Sequence, residues 1–522
     1  MLSPFIRSSI VRNSANALGW RHLLLDKHEG YQGDFPATVS RSLINIIHIT
    51  DTHICDAQSP ARVEYLDRFA DPHHPFSKKI GTLVGTYRAQ ESLTTQVLES
   101  AIQSINRIEI TPITKRKIDV VLVTGDVTDN AQQNELSWFT TILNGGKVRP
   151  DSGDRDLWEG VGGSLFYSPF FWHPHGTPKR EIESYPVSLY GFPIIPEFLN
   201  AVRAPFYASG LNAYWLTVHG NHDALLQGTV VPDAMLRSEV VKNRKIFELD
   251  DQEALIALGN VTEVGPASYP ISDKVISVEV SPDQGRDFLQ PESWNSNFYR
   301  EDEDNGITMD EIGTSKRYWR KDFEEITILA LDTVNPNGGW QGSIDQAQMN
   351  WLEKELESLR HKYVVITSHH PLHDLINGYS TNDIRILKHE VEALLMLNPQ
   401  VIAWVCGHSH RNKMTYFGPD NLHGFWQIET SSLIDWPQQF RIIEIFTDQL
   451  EQVWIANTAV NHLGTILPDP DRPKLDEVQD LAGLSRALAA NDWQRRSGEF
   501  SIDKNEGSLF DRNGIVVLPR RV

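Results

Sequence analysis

Residues 120–129 (VVLVTGDVTD) constrain the fold more than any other stretch, because an uninterrupted apolar run ends there directly in Gly125-Asp126. Apolar and β-branched residues without alternation are typical of a central parallel strand that is covered on both faces. Open α/β sheets bind their ligands at the carboxyl ends of such strands. A Gly-Asp pair after one strand is also ordinary turn chemistry, so this segment alone predicts a buried strand and leaves the role of Asp126 open.

Four further strand-like runs end in the same way. LINIIHIT leads into Asp51-Thr52-His53, YWLTV into His219-Gly220-Asn221-His222-Asp223, YVVIT into Ser368-His369-His370-Pro371, and VIAWVC into Gly407-His408-Ser409-His410. A single His or Asp after one strand is usually a cap or a satisfied core residue. Parallel strands of one sheet, however, bring their carboxyl ends to a common edge. We therefore expect Asp51, Asp126, Asn221, His369 and His408 to converge.

The ordered blocks DTH, GDVTD, GNHD, SHHP and GHSH resemble the five-block signature of the calcineurin-like binuclear metallophosphoesterases. This superfamily includes purple acid phosphatases, cyclic-nucleotide and glycerophosphodiester phosphodiesterases, and repair nucleases. The blocks are scattered from residue 43 to about residue 460 and say little about the rest of the chain. The resemblance implies an α/β fold, a four-layer α/β/β/α sandwich of two mixed sheets with large insertions.

The resemblance also implies the metal ligands, position by position. One ion would be held by Asp51, His53, Asp126 and His410, and the other by Asp126, Asn221, His369 and His408. His369 is preferred to its neighbour His370 because it matches the His-x-Pro spacing of the motif. Purple acid phosphatases have a tyrosine ligand where this chain has Asp129, which favours His53 as the ligand here.

Imidazole, carboxylate and amide donors without thiolate select Mn, Fe, Co or Zn over Mg or Ca. Two such divalent ions would activate a hydroxide for attack on phosphorus and neutralise charge on the phosphoryl oxygens. By the same resemblance, His222 stabilises or protonates the leaving oxygen. Asp129 and Asp223 are expected to orient histidines, and His370 to support the centre without binding a metal.

The charge balance limits the substrates. The chain has 48 Lys and Arg against 69 Asp and Glu, a net charge of −21, which argues against a protein that binds a phosphate backbone or an anionic membrane. A small phosphodiester or phosphomonoester is therefore the expected substrate. A nuclease acting on ends or single strands is the first alternative, and a non-catalytic scaffold of the same fold is the second. The sequence does not distinguish diester from monoester, nor does it indicate an oligomeric state.

The remaining patterns divide the chain. Its 522 residues exceed the roughly 250–300 at which a single core stops growing, so insertions are required. We expect an arm at 1–42, the metallophosphoesterase domain at 43–464, an aromatic cap at about 145–210, a second insertion at 224–322 and a tail at 465–522. Helices are predicted near 88–108, 130–143, 234–249, 345–359, 384–397 and 474–490, and the short β runs after residue 413 suggest an antiparallel second sheet.

Only Cys55 and Cys406 occur, which predicts a reducing, cytoplasmic environment and no disulfide framework. Both thiols flank the motifs, where we expect them to pack as small buried hydrophobic groups. The N-terminal residues contain no apolar run long enough for a signal peptide or a membrane span.

Overall fold

A computed structural model describes residues 8–27, 30–36, 38–77, 86–252, 254, 274–419, 423–466, 473–496 and 501–519. Its strands are β1 Ser8–Ala15, β2 Arg21–Lys27, β3 Gln32–Gly33, β4 Arg41–Ile49, β5 Val120–Val123, β6 Gly146–Val148, β7 Phe206–Ala208, β8 Trp215–Thr217, β9 Arg244–Leu249, β10 Val275–Glu279, β11 Trp319–Asp322, β12 Ile326–Ala330, β13 Ile344–Asp345, β14 Tyr363–Thr367, β15 Arg385–Ile386, β16 Val401–Cys406, β17 Lys413–Phe417, β18 Phe425–Glu429, β19 Gln439–Thr447, β20 Val453–Asn461 and β21 Gly514–Val517.

The α-helices are Glu64–Asp67, Thr94–Asn106, Gln133–Asn144, Tyr185–Tyr190, Phe198–Val202, Ala234–Val240, Ser293–Phe298, Gln346–Ser358, Lys388–Met396, Val478–Ala489, Ile502–Asn505 and Leu509–Asn513. Short 3-10 turns occupy Arg68–Ala70, Glu91–Leu93, Asn221–Asp223, Gln284–Arg286, Met309–Glu311 and Leu372–Asp374. Within the described ranges, no helix is both long enough and apolar enough to cross a bilayer.

Two large mixed sheets form the centre of the fold, as an α/β protein requires. The first has the strand order β3-β21-β20-β19-β4-β5-β8, and the second has the order β11-β12-β14-β16-β18-β17. β4, β5 and β8 are parallel to one another in the first sheet. β12, β14, β16 and β18 are parallel in the second. Each sheet also carries antiparallel strands, so the prediction of a mixed α/β fold is confirmed.

The prediction that the five motif strands share one sheet is wrong. β4, β5 and β8 carry the first three motifs in the first sheet, whereas β14 and β16 carry the last two in the second. The strands after residue 413 do not form a separate antiparallel sheet either, because β17 and β18 extend the second sheet and β19 inserts beside β4.

The place of β19 inside the first sheet was not predictable from the polarity of its sequence. Its charged residues Arg441 and Glu444 lie on opposite faces of the strand, and both are fully buried. Arg441 donates to the backbone oxygen of Glu429 and to Asn412, and Glu444 accepts from the backbone of Ile113. Hydrogen-bonded charged residues can therefore occupy an interior strand whose sequence suggests that one face is exposed.

The apolar faces of the two sheets share one core. Ile46, Val120 and Leu216 of the first sheet belong to the same buried cluster as Ile328, Val365 and Val405 of the second. The opposite face of the first sheet packs on the helices Thr94–Asn106 and Gln133–Asn144. The opposite face of the second sheet packs on Gln346–Ser358 and Lys388–Met396. This packing holds the carboxyl ends of strands from both sheets against a common core.

The helix predicted over 234–249 is wrong in its second half. The helix ends at Val240, and β9 then pairs antiparallel with β10. Lys245, Phe247 and Leu249 are the buried members of β9, a period of two that marks a strand covered on one face. In the sequence, the apolar residues of 234–240 and the alternating residues of β9 are easily mistaken for one helical pattern.

The insertion at 145–210 is more deeply packed than a cap over a pocket. Its aromatic residues Phe171 and Trp172 are only 2% and 1% exposed, so they do not offer apolar surface to a ligand. Their cluster also contains Phe198, Trp20 of the N-terminal hairpin β1–β2, and Trp493 of the C-terminal segment. His173 is buried and His175 is exposed. The N-terminal hairpin, the insertion and the C-terminal segment thus share one hydrophobic core.

This shared core generates a stability prediction. Trp172→Ala should lower the free energy of unfolding by about 3–5 kcal/mol, because it removes a buried ring from a packed cluster and leaves a cavity. Denaturant unfolding of the full chain measures the change. Ile182→Ala is the control, since Ile182 lies in the same insertion and is 67% exposed. Equal stability of the two variants would show that the insertion is not part of the core.

Candidate metal centre

The predicted site residues converge where strands of the two sheets end. Asp51 and His53 follow β4, Asp126 follows β5, and Asn221 lies in the 3-10 turn after β8. His369 follows β14, and His408 and His410 follow β16. His and carboxylate atoms from these loops form overlapping groups in which every donor lies within 4.8 Å of the others. The groups are Asp51-His53-His410, Asp51-Asp126-His369, His53-Asp126-His222 and His369-His370-His408.

One part of the centre is formed by Asp51, His53 and His410. The Nε2 atom of His410 lies 3.3 Å from Oδ1 of Asp51 and 3.3 Å from Nε2 of His53. Nε2 of His53 is also 3.9 Å from Oδ1 of Asp51 and 3.7 Å from Oδ2 of Asp126. Asp51 and His53 are buried, and the His410 side chain is 14% exposed.

The other part is formed by Asp126, His369 and His408. Nε2 of His369 lies 3.1 Å from Oδ2 of Asp126 and 3.2 Å from Nδ1 of His408. Asp126 therefore contacts donors of both groups, the position that a bridging carboxylate would occupy. The backbone N–H of His222 donates to the other oxygen of Asp126 at 2.8 Å and fixes the carboxylate.

These histidines carry their protons on the nitrogens that point away from the centre, so the centre lacks positive charge. Nδ1 of His53 donates to Asp129 at 3.0 Å, and Nδ1 of His410 donates to Asp435 at 2.6 Å. In the neutral imidazoles, both Nε2 atoms then carry lone pairs, and these lone pairs face each other. His369 similarly donates from Nδ1 to the backbone oxygen of Thr124 at 2.8 Å. A cation among these acceptors satisfies them all, and the N/O donor set suits a transition metal.

Asn221 supports the same conclusion from an amide. Its Nδ2 donates to the backbone oxygen of Gly228 at 3.0 Å, which fixes the orientation of the side chain. Its Oδ1 is buried and accepts no hydrogen bond from the part of the chain that the structure describes. A buried acceptor left unsatisfied costs about 1–3 kcal/mol, so a ligand is expected there. A divalent ion is a suitable partner for this oxygen.

The backbone at the centre is held in an uncommon conformation. Five donor residues have left-handed φ angles: Asp51 at 51°, His53 at 42°, Asp126 at 49°, His408 at 67° and His410 at 55°. Such angles cost about 1–3 kcal/mol per residue and concentrate at functional sites. Tight reversal after each strand is what turns these side chains back toward the edge of the sheet.

Two motif glycines are required by close approach of these loops. Gly125 has φ of 85°, and a Cβ there would lie 2.7 Å from the backbone nitrogen of Gly220. A Cβ on Gly407 would collide with Thr50 and with the carboxylate of Asp51. These glycines allow the strand ends to approach until their donors meet.

The electrostatics reflect the crowding of acceptors. Burial alone would lower the pKa of His369, but the adjacent carboxylates of Asp126 and Asp51 raise it to about 9. Burial would raise the pKa of Asp126, yet the surrounding imidazoles hold it well below its usual range. The pocket thus favours a positive charge beside the ionised carboxylates. A proton supplies part of this charge, and a metal ion would supply all of it.

The residues expected to support the centre are all hydrogen-bonded. Asp129 accepts from Nδ1 of His53 at 3.0 Å. Asp223 accepts from the backbone N–H groups of Gly220 and Thr128, each at 2.9 Å, and its role in orienting a histidine stays a prediction. Both ring nitrogens of His370 are engaged, with Thr333 at 2.8 Å and with the backbone oxygen of Trp340 at 2.9 Å, whereas His369 turns Nε2 toward Asp126.

Sequence reasoning missed Asp435, which lies outside the motifs and contacts His410. It also missed Arg62, which is buried and pairs with both Asp129 and Glu91. An Asp in the loop after β18 has no sequence signal that separates it from a turn residue. Cys55 and Cys406 are both free and buried, as expected for small packing residues.

No family model matches the chain. A curated relative, the probable glycerophosphodiester phosphodiesterase GpdQ of Arcobacter nitrofigilis, is 32% identical over 91 residues. The match covers 17% of this chain, and the chain spans only 33% of the length of that relative. The resemblance to calcineurin-like metallophosphoesterases is thereby confirmed. A crystal structure of a dimetal phosphatase from Danio rerio aligns with 81% of this chain and 97% of its own, at 11% identity and a TM-score of 0.35.

The facing lone pairs generate a prediction about metal binding. Adding Mn(II), Co(II) or Zn(II) to chelator-treated protein should raise its melting temperature, because an ion at 100 times its Kd stabilises the folded state by about 2.7 kcal/mol. Mg(II) and Ca(II) should shift it much less, since imidazole nitrogens are poor ligands for them. Scanning fluorimetry or calorimetry measures the shift. Equal shifts with all five ions would indicate unspecific carboxylate binding instead.

Proposed function

We propose that this chain is a phosphoester hydrolase that works with two divalent metal ions. The observation that carries the proposal is the convergence of buried carboxylate and imidazole donors from five strand ends, whose ligand atoms lie within a few ångströms of one another. The proposed catalytic domain spans residues 43–464. The shared core between the sheets, with helices on both outer faces, supports a four-layer α/β/β/α arrangement.

We assign one ion to Asp51, His53, Asp126 and His410, and the other to Asp126, Asn221, His369 and His408. The distances of Asp126 to His53 and His369 support its role as the bridge. The hydrogen bonds of His370 to Thr333 and Trp340 support a neighbouring role and not a ligand role. Mn, Fe, Zn and Co all fit the donor set.

When bound, the two ions would supply Lewis-acid neutralisation of the phosphoryl charge and lower the pKa of a water molecule. The protein contributes by holding the donors rigidly on buried loops and by placing His222 beside them. The ring of His222 lies 4.5 Å from that of His53, centroid to centroid, and its side chain is 18% exposed. It is therefore a group that a substrate can reach without displacing a ligand.

His222 is prepared for proton exchange with a substrate. Its Nδ1 donates to the backbone oxygen of Asp129 at 2.7 Å, and among the described residues Nε2 has no hydrogen-bond partner. Burial lowers the pKa of His222 to about 4, so the imidazole is neutral in the free protein at pH 7. We propose that His222 hydrogen bonds to the leaving oxygen and takes up a proton only together with the anionic substrate, whose charge favours the imidazolium.

The substrate class is a small phosphodiester or phosphomonoester. The name of the curated relative, a probable glycerophosphodiester phosphodiesterase, supports the diester. The net charge of −21 disfavours the nuclease alternative. The filled donor positions disfavour the scaffold alternative.

A panel of aryl phosphates, aryl phosphodiesters, cyclic nucleotides, glycerophosphodiesters and single-stranded DNA, assayed with Mn(II)-reconstituted protein, tests this ranking of substrates. Cleavage of DNA alone would replace it.

The bridging assignment predicts different outcomes for two substitutions. Asp126→Asn should weaken both ions and abolish most hydrolysis, whereas His410→Ala should mainly empty one site and leave about one ion per chain. Elemental analysis after dialysis against limiting Mn(II), combined with the rate on an aryl phosphate, measures both effects. His175→Ala is a control, because His175 is exposed and remote in sequence from every donor. Two tightly held ions in an active Asp126→Asn protein would refute the bridge.

The assignment of His222 predicts a loss of rate without a loss of metal. His222→Ala should keep both ions and lower kcat by about 10²–10⁴-fold on esters with poor leaving groups. Esters whose leaving groups are strongly acidic alcohols need little protonation and should lose much less. A series of substituted phenyl esters gives the dependence of kcat on the leaving-group pKa. An equal loss across the series would mean that His222 does not act on the leaving oxygen.

A further inference from the structure

We infer that Arg495, in the C-terminal segment outside all five motifs, is a positioning residue for the metal centre. It acts through Asp435, which holds His410, and it shares that carboxylate with Arg88. The inference rests on the proposed function because it takes His410 as a metal ligand. It deepens that function by assigning to the tail a part in the affinity of one of the two ions.

Asp435 is placed to control the tautomer of His410. Its Oδ2 accepts from Nδ1 of His410 at 2.6 Å, and its side chain is 2% exposed. A neutral imidazole that donates from Nδ1 has its lone pair on Nε2, the atom that lies 3.3 Å from Asp51. A carboxylate in this position also increases the basicity of the ligand nitrogen. Without Asp435, the ring could rotate or change tautomer.

Two guanidinium groups hold Asp435 in turn. Nε of Arg88 forms an ion pair with Oδ1 of Asp435 at 2.8 Å, and Nη1 of Arg495 pairs with Oδ2, the same oxygen that faces His410. The side chains of Arg88 and Arg495 are only 9% and 16% exposed. Each oxygen of the carboxylate therefore has a guanidinium beside it.

The neighbouring ligand also has an aspartate on its Nδ1 and a guanidinium on that aspartate, which argues that such a chain of contacts serves the metal centre and not only the packing. Nδ1 of His53 donates to Asp129, and the buried guanidinium of Arg62 pairs with the other oxygen of that carboxylate. Arg62 also pairs with Glu91 at 2.6 Å, and Glu91 accepts from the backbone N–H of Arg88 at 2.9 Å. Both histidines assigned to one ion are thus oriented by aspartates that are linked through a single buried set of charges.

The tail is anchored so that Arg495 can carry out this function. The preceding helix Val478–Ala489 contributes Leu481, Leu484 and Leu488 to the same core as Trp172. Ser485 of that helix accepts from Gln438, three residues after Asp435, at 2.9 Å. The position of Arg495 is therefore determined by the core, and the loop that carries Asp435 is attached to the same helix.

The test uses the full chain, stripped of metal and titrated with Co(II) against a competing chelator, with the visible absorption of bound Co(II) as the readout. Arg495→Met should weaken one of the two ions about 10–100-fold, the usual effect of removing a group that orients a ligand, and leave the other unchanged. Arg495→Lys should restore much of the affinity because it keeps the charge. Asp435→Asn should reproduce the loss without altering the tail.

Arg496→Met is the matched control. Arg496 is the next residue and lies over the ring of Tyr190 at 4.7 Å, where it takes no part in the contacts of Asp435. Wild-type affinity for both ions in Arg495→Met and in Asp435→Asn would overturn the inference while the proposed function stands. An equal loss of both ions with a lowered melting temperature would also overturn it, since that is the result of a purely structural role. Failure of the wild-type chain to bind Co(II) would remove both proposals.

Discussion

The structure depends on an accumulation of hydrogen-bond acceptors that cannot satisfy one another. Two buried carboxylates and the imidazoles of His53, His369, His408 and His410 lie within a few ångströms of their neighbours at the junction of two sheets. Among the described residues, nothing donates to the buried amide oxygen of Asn221. Each imidazole whose outer nitrogen donates to Asp129, Asp435 or Thr124 presents a lone pair inward. Placing such groups together is unfavourable in a low-dielectric interior unless a positive charge lies among them. The loops, the glycines and the buried arginines hold these acceptors together around the place where the positive charge is needed.

The route from sequence to this junction was predictable in part. The apolar runs before the motifs predict strands, and β14 and β16 coincide with the runs YVVIT and VIAWVC. The Asp and His residues that follow the strands were identified because several strand ends of one polarity carry polar groups that have no role in a simple turn. Local chemistry of this kind is encoded within a few residues, which is why a single sequence is sufficient for it.

The division of the strands between two sheets was not predictable in this way. Pairing between β4 and β19 joins residues that are almost four hundred positions apart, and neither segment contains a signal that identifies its partner strand. Arg441 and Glu444 are buried by contacts that form only after the two sheets pack, so their polarity gives the wrong signal beforehand. Asp435 and Arg495 were missed for the same reason, since their importance lies in which residue they touch. Long-range contacts determine this strand pairing and this burial, and they cannot be inferred from a single sequence.

The common core of hairpin, aromatic insertion and C-terminal helix has a consequence for what counts as the smallest working unit. Trp20, Trp172 and Leu484 come from three regions that lie before, between and after the blocks of the signature, and yet they exclude water from the same volume. A fragment cut to the span of the motifs would expose this apolar surface and lose the attachment of the loop after β18. The signature marks where chemistry is concentrated, whereas cooperativity extends to segments that contain no part of it. In this chain, the described parts of the hairpin, the insertion and the C-terminal helix support the centre through their shared core.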